Sequence, residues 1–475
     1  LPASDQSSLP VSRTKIGVIS LGCSKNLVDT EVMLGHLDRA GCAFVQDPEE
    51  ADVLIVNTCG FIDAAREESV RAILDAASLK TTGRLKRLVV AGCMVQRYRD
   101  ELTRELKGDV DAFVGLDELD AIVEAAQAPR KTVGGAPRSD LPLFVAATSG
   151  VSQAGNLLSR YLYNANTPRK LATPPWTAFL KIAEGCDHTC SFCAIPNFRG
   201  AFRSRPPDDV VAEAEALARR GVKEINLIAQ DSSHFGRDRG DTAGLAGLLT
   251  RLDQVPGLRW VRVHYLYPNT VTDRLIEAMA VSPRVVKYVD IPLQHAHPEI
   301  LKRMRRGGSG ESHLELLGRF RAAMPDAALR STFIVGFPGE TEQEFKQLVA
   351  FVEEARFDHL GVFTYSHEDG TSAHGLVDDV PDRLKGDRRD RLMEVQQRIA
   401  FEKNEARVGE TVEVLVEGAH PETEHLLVGR ASTQAPDVDG QILLNDGHAD
   451  PGTFARVLLT ETAGYDLVGR ILGAA

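Results

Sequence analysis

Three cysteines on one short stretch are the residues of this chain best placed to do chemistry. Cys186, Cys190 and Cys193 have the spacing C-x3-C-x2-C in the segment EGCDHTCSFCAIP. Three thiolates on one tight loop can hold three irons of a four-iron cluster and leave the fourth iron without a protein ligand. Such an open iron can bind a chelating small molecule and pass an electron to it. The spacing therefore predicts an iron–sulfur site with an open coordination position.

A structural zinc site is the alternative for the same stretch, because zinc also takes thiolate and imidazole ligands and His188 lies between the first two cysteines. Structural zinc usually has four ligands in two paired knuckles. The chain has no second C-x2-C pair. The spacing therefore favours the cluster over zinc.

A second set of cysteines is scattered in sequence but regular in position. Cys23, Cys59 and Cys93 each end a predicted strand, in IGVISLGC, VLIVNTC and LVVAGC, and each has a glycine beside it. Parallel strands have their carboxyl ends at one edge of a sheet, so we expect these three thiols to converge on a second cluster. Buried structural cysteines are the alternative. Cys42 opens its strand at the opposite edge, and we expect it in the core.

The elements that must position these cysteines form three regions. Residues 14–129 alternate short apolar strands with helices, which predicts a doubly wound parallel sheet in an α/β domain. Residues 173–400 contain six further strand–helix units, which predicts a partial (β/α)6 barrel of the TIM kind. Residues 408–475 contain five short strands, which predicts a small antiparallel β-barrel. Residues 130–172, rich in proline, glycine and basic residues, are expected to be a linker.

Composition limits the classes of function. With 475 residues the chain is long enough for about three domains, and no apolar run approaches the roughly 20 residues of a membrane span. A net charge of -12 excludes blanket electrostatic binding to nucleic acid. Seven cysteines, an odd number, and an amino-terminal segment without an apolar signal core favour metal chemistry in the reducing cytoplasm over disulfides.

The cysteine loop resembles the signature of the radical S-adenosylmethionine superfamily, because it follows a strand and opens a (β/α) region. The resemblance implies that an electron from the cluster cleaves S-adenosylmethionine and releases a deoxyadenosyl radical. It also implies contacts to that cofactor from several further residues: Phe192 near the adenine, Glu224 on the amino group at the end of the second strand, Gln230 and Asp231 on the same rim, and Gly336 and Gly339 on the adenine side. Alternatively, Glu224 is a surface charge and the glycines are plain turns.

The whole chain resembles the methylthiotransferases, through LGCSKNLVD, VNTCGFID, AGCMVQRY and the order of its domains. The resemblance implies two [4Fe-4S] clusters, S-adenosylmethionine as both radical source and methyl donor, and a terminal barrel of the TRAM kind. It implies the replacement of a C–H bond by C–S–CH3, with the sulfur passing through the second cluster. A reducing electron donor such as flavodoxin or ferredoxin is implied as a partner.

Two branches of that family differ in substrate. The stretches SLGCSKNLVD, IAEGCDHTCSFCAIPNFRG, VHYLYP and VDIPLQHA resemble the branch that modifies an aspartate β-carbon in the twelfth protein of the small ribosomal subunit. The other branch modifies adenosine in transfer RNA and typically has tyrosine, glutamine and methionine around its first cysteine, which are absent here. The chain departs from the expected pattern at Ser24 and His367, where proline is usual, and neither position is a ligand.

The charge of residues 408–475 agrees with the first branch. The region holds three arginines and eleven acidic residues: Glu410, Glu413, Glu417, Glu422, Glu424, Asp437, Asp439, Asp446, Asp450, Glu461 and Asp466. Such a surface repels phosphates and attracts a basic ribosomal protein, although an acidic surface also serves solubility alone. We therefore expect a ribosomal protein aspartate methylthiotransferase. The alternatives are a transfer RNA adenosine methylthiotransferase and a non-enzymatic iron–sulfur or zinc protein that binds ribosomes.

Overall fold

The computed structural model describes residues 13–128, 144–145 and 160–475. The chain forms two compact units, Leu1–Tyr161 with Thr167–Ala172, and Leu162–Asn166 with Thr173–Ala475. Much of the predicted linker at 130–172 lies outside the described residues. Within the described part, we find no helix that is both long and apolar enough to cross a membrane.

The first unit is built on a parallel sheet with the strand order β2-β1-β3-β4-β5-β6. Its strands are β1 Lys15–Ser20, β2 Ala43–Phe44, β3 Val53–Thr58, β4 Arg87–Gly92, β5 Ala112–Val114 and β6 Phe144–Val145. Its helices are α1 Ser24–Arg39, α2 Asp63–Thr82, α3 Cys93–Glu105 and α4 Ile122–Gln127. Every residue of β3 and β4 is buried, as expected for central strands of a parallel sheet covered on both faces.

The register of this sheet brings three strand ends level. Ser20 at the end of β1 pairs with Asn57 near the end of β3, and Thr58 pairs with Gly92 at the end of β4. The chain therefore leaves all three strands at one edge of the sheet, and each of the three predicted ligands follows its strand within three residues. The predicted convergence has its basis in this pairing.

The second unit contains six parallel strands in two sheets, ordered β11-β10-β7 and β12-β13-β14, which an isolated bridge between Val261 and Val285 joins. The strands are β7 Thr177–Lys181, β10 Glu224–Ile228, β11 Trp260–Val263, β12 Tyr288–Asp290, β13 Ala328–Val335 and β14 His359–Thr364. A short antiparallel pair, β8 Ala183–Glu184 with β9 Arg203–Ser204, frames the loop that follows β7. The partial (β/α)6 barrel is thus confirmed.

Helices connect and follow the strands of this barrel. They are α5 Ile195–Arg199, α6 Pro207–Arg219, α7 Gly244–Leu252, α8 Asp273–Val281, α9 Pro298–Arg303, α10 Gly310–Ala323, α11 Glu342–Ala355 and α12 Asp382–Ala406. The long α12 leads out of the barrel toward the terminal strands.

The terminal strands close into a five-stranded barrel in the order β15-β16-β17-β19-β18. They are β15 Thr411–His420, β16 Thr423–Ala431, β17 Ile442–Asp446, β18 Phe454–Ala463 and β19 Asp466–Ala474. The prediction of a purely antiparallel barrel is wrong at one position, because β17 pairs with β19 in parallel. A closed ring with an odd number of strands cannot alternate direction throughout, so one parallel pair is unavoidable.

The terminal barrel packs against the amino ends of the six-stranded barrel. Trp260 and Tyr288, which begin β11 and β12, share one buried apolar cluster with Leu415 and Phe454 of the terminal barrel. Parallel barrels carry their chemistry at the opposite, carboxyl edge. The terminal barrel therefore lies on the supporting edge of the six-stranded barrel.

Candidate iron–sulfur sites

The first cysteine loop follows β8 and is fixed by backbone hydrogen bonds. The amide of Cys186 donates to the carbonyl of Gly200 at 3.0 Å, and the amide of Cys193 donates to the carbonyl of Cys190 at 3.1 Å. A further bond, from the amide of Ser191 to the carbonyl of Met304 at 3.0 Å, ties the loop to the end of α9. Gly185, with φ of 78°, passes so close to the next strand that no side chain fits there. The three thiols are thus presented together by a rigid turn.

The electrostatics of this loop suit metal ligands. Burial raises the pKa of Cys186 to about 12 and that of Cys193 to about 12, and the neighbouring Cys190 adds to both shifts. Iron must displace these protons, so loading the site with a cluster releases protons. The Arg306 guanidinium lies 3.6 Å from the sulfur of Cys190, and its charge acts against the raised pKa of Cys193. Three adjacent soft donors beside a cation fit an iron–sulfur cluster.

Among the described residues, there is no group of three or more histidine, cysteine, aspartate or glutamate side chains close enough to hold one metal ion. A four-iron cluster does not need such a group, because each thiolate binds a different iron.

Asp231 and Gln230 lie on the rim beside the cysteine loop. The Asp231 carboxylate is 1% exposed and lies 2.7 Å from Nε2 of His188, which belongs to the loop itself. Gln230 donates to the Glu184 carboxylate, two residues before Cys186, at 2.9 Å. The ring of Tyr267 stacks on His188 with 3.7 Å between centroids. The structure therefore brings both predicted rim residues to the cysteine loop.

Phe192 and the glycine loop after β13 meet in one apolar cluster. Phe192 packs against a cluster that includes Phe337, the residue next to Gly336. Gly336 and Gly339 have φ of 74° and 76°, in the region that favours glycine. The amide of Gly336 donates to the Glu340 carboxylate, which closes the turn. The predicted adenine-side residues thus lie near one another at the carboxyl ends of the strands.

Glu224 lies elsewhere, and its predicted position at the end of the second strand is wrong. It is the first residue of β10, fully buried, with its carboxylate 2.6 Å from Arg430, 3.1 Å from Arg262 and 3.0 Å from Thr177. Although burial alone raises the pKa of Glu224, Arg430 and Arg262 lower it to about 2. Glu224 therefore joins the two barrels at the amino edge, away from the cysteine loop.

The sequence reasoning missed Glu184, a buried carboxylate at the carboxyl end of the first strand. Glu184 accepts hydrogen bonds from Lys181 at 2.7 Å and from Arg199 at 2.9 Å, in addition to the one from Gln230. The available signal was its position directly before Gly185 and Cys186, where a loop with a bound group begins. Its two cations hold the pKa of this carboxyl well below its usual range despite the burial.

The second set of cysteines meets at the level edge of the first sheet. A Cβ placed on Gly22 would lie 2.8 Å from Cβ and 3.1 Å from Sγ of Cys59. A Cβ on Gly60 would lie 2.8 Å from Cα of Met94, the residue after Cys93. Neighbouring cysteine loops therefore touch through their glycines. The glycines thus leave room for the neighbouring cysteine loops.

Two of these three thiols lie at the start of a helix. Cys23 directly precedes α1 and Cys93 is the first residue of α3. The amino end of a helix stabilises a nearby negative charge, and so favours a thiolate that can bind metal. Cys23 is exposed, Cys59 is half-buried and Cys93 is buried. Cys42 is buried next to the start of β2 and accepts from Gln127 at 3.5 Å, at the other edge of the sheet.

Three sequence profiles match the chain. The radical SAM superfamily matches residues 180–352, the uncharacterised protein family UPF0004 matches residues 15–115, and the TRAM domain matches residues 408–472. A solved structure of the radical S-adenosylmethionine methyltransferase TsrM from Kitasatospora setae, with cobalamin and a [4Fe-4S] cluster bound, has a TM-score of 0.51 at 16% identity. It covers 84% of this chain, the match covers 76% of TsrM, and the likeness concerns the fold. Fold and cysteine loop together define a radical S-adenosylmethionine enzyme.

Curated relatives give the family within that class. The chain is 49% identical over 462 residues to the ribosomal protein uS12 methylthiotransferase RimO of Anaeromyxobacter sp. (strain K), which covers 97% of this chain and 93% of the relative. It is 45% identical to the protein of the same name from Trichlorobacter lovleyi, over 97% of this chain and 99% of the relative. The chain belongs to the RimO family of methylthiotransferases.

Proposed function

We propose that this protein adds a methylthio group to the β-carbon of an aspartate in ribosomal protein uS12, the twelfth protein of the small subunit. The observation that supports the proposal is that one chain of this family carries two sets of three cysteines, one on a single loop and one at three strand ends. Three protein ligands leave one iron of each four-iron cluster open. One open iron serves the radical source, and the other serves the sulfur that is transferred.

The residues of the first site have a role in holding and shielding the radical source. Cys186, Cys190 and Cys193 would hold a [4Fe-4S] cluster, which supplies the electron that cleaves S-adenosylmethionine into methionine and a deoxyadenosyl radical. Phe192 and the loop with Gly336 and Gly339 bound the adenine side and exclude water. Gln230 and Asp231 line the rim, where their contacts to Glu184 and His188 hold them in place. Glu224 has no part in cofactor binding in this proposal, because it is buried at the other edge.

The residues of the second site hold the sulfur. Cys23, Cys59 and Cys93 would bind a second [4Fe-4S] cluster, which supplies the position for the extra sulfur. When loaded, the first site would supply the radical that takes a hydrogen atom from the aspartate β-carbon. The second site would supply the sulfur that bonds to that carbon, and its cluster would accept the one electron released. A second S-adenosylmethionine supplies the methyl group. The contacts between the three loops support this assignment, because a cluster needs all three thiols at one place.

The terminal barrel supports a basic protein as the substrate. Several of its acidic residues are used internally: Glu417 binds Arg430, and Asp439 accepts from Tyr288 at 2.6 Å. Others are exposed, namely Glu422, Asp437, Asp446, Asp450 and Glu461. An exposed acidic surface attracts a basic ribosomal protein and repels RNA. A transfer RNA adenosine methylthiotransferase and a non-enzymatic iron–sulfur or zinc protein are not favoured by the relatives of this chain.

Three further elements complete the proposal. We assign the second cluster to residues 14–129, the radical chemistry to residues 173–400 and substrate binding to residues 408–475. We place the protein in the cytoplasm, where its cysteines stay reduced and the six proposed ligands can bind iron. A low-potential donor such as flavodoxin or ferredoxin would deliver the electrons.

A paired substrate assay tests the proposal. Enzyme reconstituted anaerobically with iron and sulfide receives reductant, S-adenosylmethionine and either uS12 or unmodified transfer RNA, and both products are analysed by mass spectrometry. We expect a methylthio gain on an aspartate peptide of uS12 and no change in the RNA. A gain on adenosine alone would overturn the proposed substrate. Formation of no deoxyadenosine by the loaded enzyme would favour a binding protein.

A further inference from the structure

One buried amide in the first unit touches all three loops that carry the second set of cysteines. Asn26 lies in the first turn of α1 and is 1% exposed. Its Nδ2 donates to the carbonyl of Leu21 at 2.6 Å, on the loop that leads to Cys23. The same Nδ2 donates to the carbonyl of Thr58 at 3.3 Å, directly before Cys59. Its Oδ1 lies 3.8 Å from the sulfur of Cys93 and accepts from that thiol.

The orientation of this amide is fixed by chemistry. Carbonyl oxygens accept hydrogen bonds and cannot donate them, so the two neighbouring carbonyls require the NH2 group of Asn26 on their side. The amide oxygen is then left facing Cys93. The side-chain amide of Asn26 therefore contacts the ends of β1, β3 and β4 at once. A backbone hydrogen bond of the sheet joins only two strands.

Further buried polar groups hold Asn26 itself in place. Asn57, fully buried in β3, donates to the carbonyl of Asn26 at 2.9 Å and to the hydroxyl of Thr30 at 2.7 Å. That hydroxyl lies 2.8 Å from the hydroxyl of Ser20 at the end of β1. Buried polar groups that are joined in such a network favour one arrangement of the backbone. The helix start and both strand ends are therefore locked in one register.

We propose that Asn26 is a positioning residue for the second cluster, which sets the three cysteine loops at the separation that a four-iron cluster needs. The inference rests on the proposed role of Cys23, Cys59 and Cys93 as its ligands. Asn26 is not itself a ligand. It acts by holding the two carbonyls next to the loops of Cys23 and Cys59, and it contacts the Cys93 thiol before iron displaces the proton, as groups around metal ligands commonly orient them.

The test isolates the second site. In a chain carrying Cys186→Ala, Cys190→Ala and Cys193→Ala, only the second cluster can form, and we expect about four irons per chain after anaerobic reconstitution. Asn26→Asp keeps the size of the side chain but replaces a donor by a carboxylate, and Asn26→Leu removes hydrogen bonding without adding charge. In this background both variants should lower the affinity for iron at least about tenfold, with loss of the charge-transfer absorption of the cluster.

Thr30→Val is the matched control. It removes a buried hydroxyl of the same network but leaves every contact of the Asn26 amide to the cysteine loops intact. Melting of the iron-free chains by circular dichroism measures the loss of stability of each variant. We expect Thr30→Val to melt lower and still bind iron within about twofold of the parent, a change within the usual scatter for a surrounding group.

The outcomes distinguish the role of Asn26 from the assignment of the three cysteines as ligands. Retention of the cluster by both Asn26 variants overturns the role of Asn26. Loss of iron by Thr30→Val in proportion to its lower melting temperature also overturns it, because Asn26 would then act only through stability. If the background chain with intact Asn26 binds no iron, the assignment of Cys23, Cys59 and Cys93 is wrong, and this inference falls with it.

Discussion

The two cysteine sites are built in opposite ways. Cys186, Cys190 and Cys193 occupy eight consecutive residues on one loop, which hydrogen bonds of its own backbone hold together. Cys23, Cys59 and Cys93 come from three strands and meet only because β1, β3 and β4 end level with one another. The first site is local in sequence, whereas the second is a product of the fold.

This difference determines what can damage each site. A local loop depends on its own residues and on a few contacts, such as that of Arg306 to Cys190. A site made of strand ends depends on every contact between the loops, including the close approach of Gly22 to Cys59. We therefore expect the second cluster to be sensitive to substitutions that touch no ligand, and the first cluster to be sensitive mainly to its ligands.

We expect the largest effect from the removal of a ligand from the first cysteine site. Cys190→Ala removes one of only three protein ligands, so the first cluster should fail to assemble. Deoxyadenosine formation should fall to the level seen without enzyme, and methylthio transfer should fall with it. The second cluster should remain, at about four irons per chain. Loss of all iron in this variant would contradict the independence of the two sites.

Glu224→Gln probes the barrel edge opposite the first site. The substitution leaves Arg262 buried without its carboxylate and Arg430 with Glu417 alone, and we expect a loss of about 3–5 kcal/mol in the free energy of unfolding. Chemical denaturation measures the loss. The folded variant should retain the affinity of the wild-type enzyme for S-adenosylmethionine. A large drop in that affinity with unchanged stability would mean that Glu224 contributes to cofactor binding.

The same carboxyl also predicts a pH dependence. Glu224 has a folded pKa of about 2, below its ordinary value of 4.5. Its contribution to stability is therefore present above pH 4.5 and is lost as the pH falls toward 2. Between these values the melting temperature of Glu224→Gln should fall less steeply than that of the wild-type enzyme.

Gly22→Ala tests whether the close approach of two cysteine loops is needed for the second cluster. Both Gly22 and Gly41 have positive φ, 88° and 77°, so alanine at either costs about 1–2 kcal/mol of stability. Only at Gly22 does the new methyl meet another cysteine loop, whereas nothing lies within 4 Å at Gly41. We expect Gly22→Ala to lose the second cluster and Gly41→Ala to keep it, as measured by iron content. Equal loss in both variants would make backbone strain the sole cause.

The smallest expected effect concerns a surface that belongs to neither site. Asp446→Lys with Glu461→Lys reverses two exposed charges of the terminal barrel and should raise KM for uS12 about two- to fivefold, if the two exposed charges together contribute about 0.4–1 kcal/mol. The effect should shrink at high salt. Asp326→Lys, at an exposed acid outside that barrel, should leave KM unchanged. An equal rise in KM for all three substitutions would mean that only net charge matters.

The sequence allowed both sites to be predicted, for different reasons. The first follows from spacing alone, because residues this close in the chain must be close in space. The second follows from strand periodicity, because parallel strands share an edge. Glu224 was predicted at the wrong end of its strand. An apolar run in the sequence predicts a strand, but it does not show at which edge of the barrel a residue beside that run lies. The parallel pairing of β17 with β19 was not predicted. It depends on which strands are neighbours in the barrel, and the sequences of short strands do not show this.

Asn26 shows what lies beyond sequence patterns. Its role depends on which carbonyls of two distant loops lie beside one amide. Glu184 is a similar case, since only the barrel brings Gln230 to it. Ligands can be predicted from residue type and spacing, whereas the groups that orient them emerge from packing.

The most direct test of the division between the two sites is one measurement on Cys59→Ala. The loaded variant receives reductant, S-adenosylmethionine and uS12, and deoxyadenosine and methylthiolated peptide are quantified in the same reaction. We predict deoxyadenosine formation within about twofold of the wild-type enzyme, because the first site is intact, and no methylthiolated peptide. Loss of both products would contradict separate roles for the sites, and retention of methylthiolation would show that the second site does not deliver the sulfur.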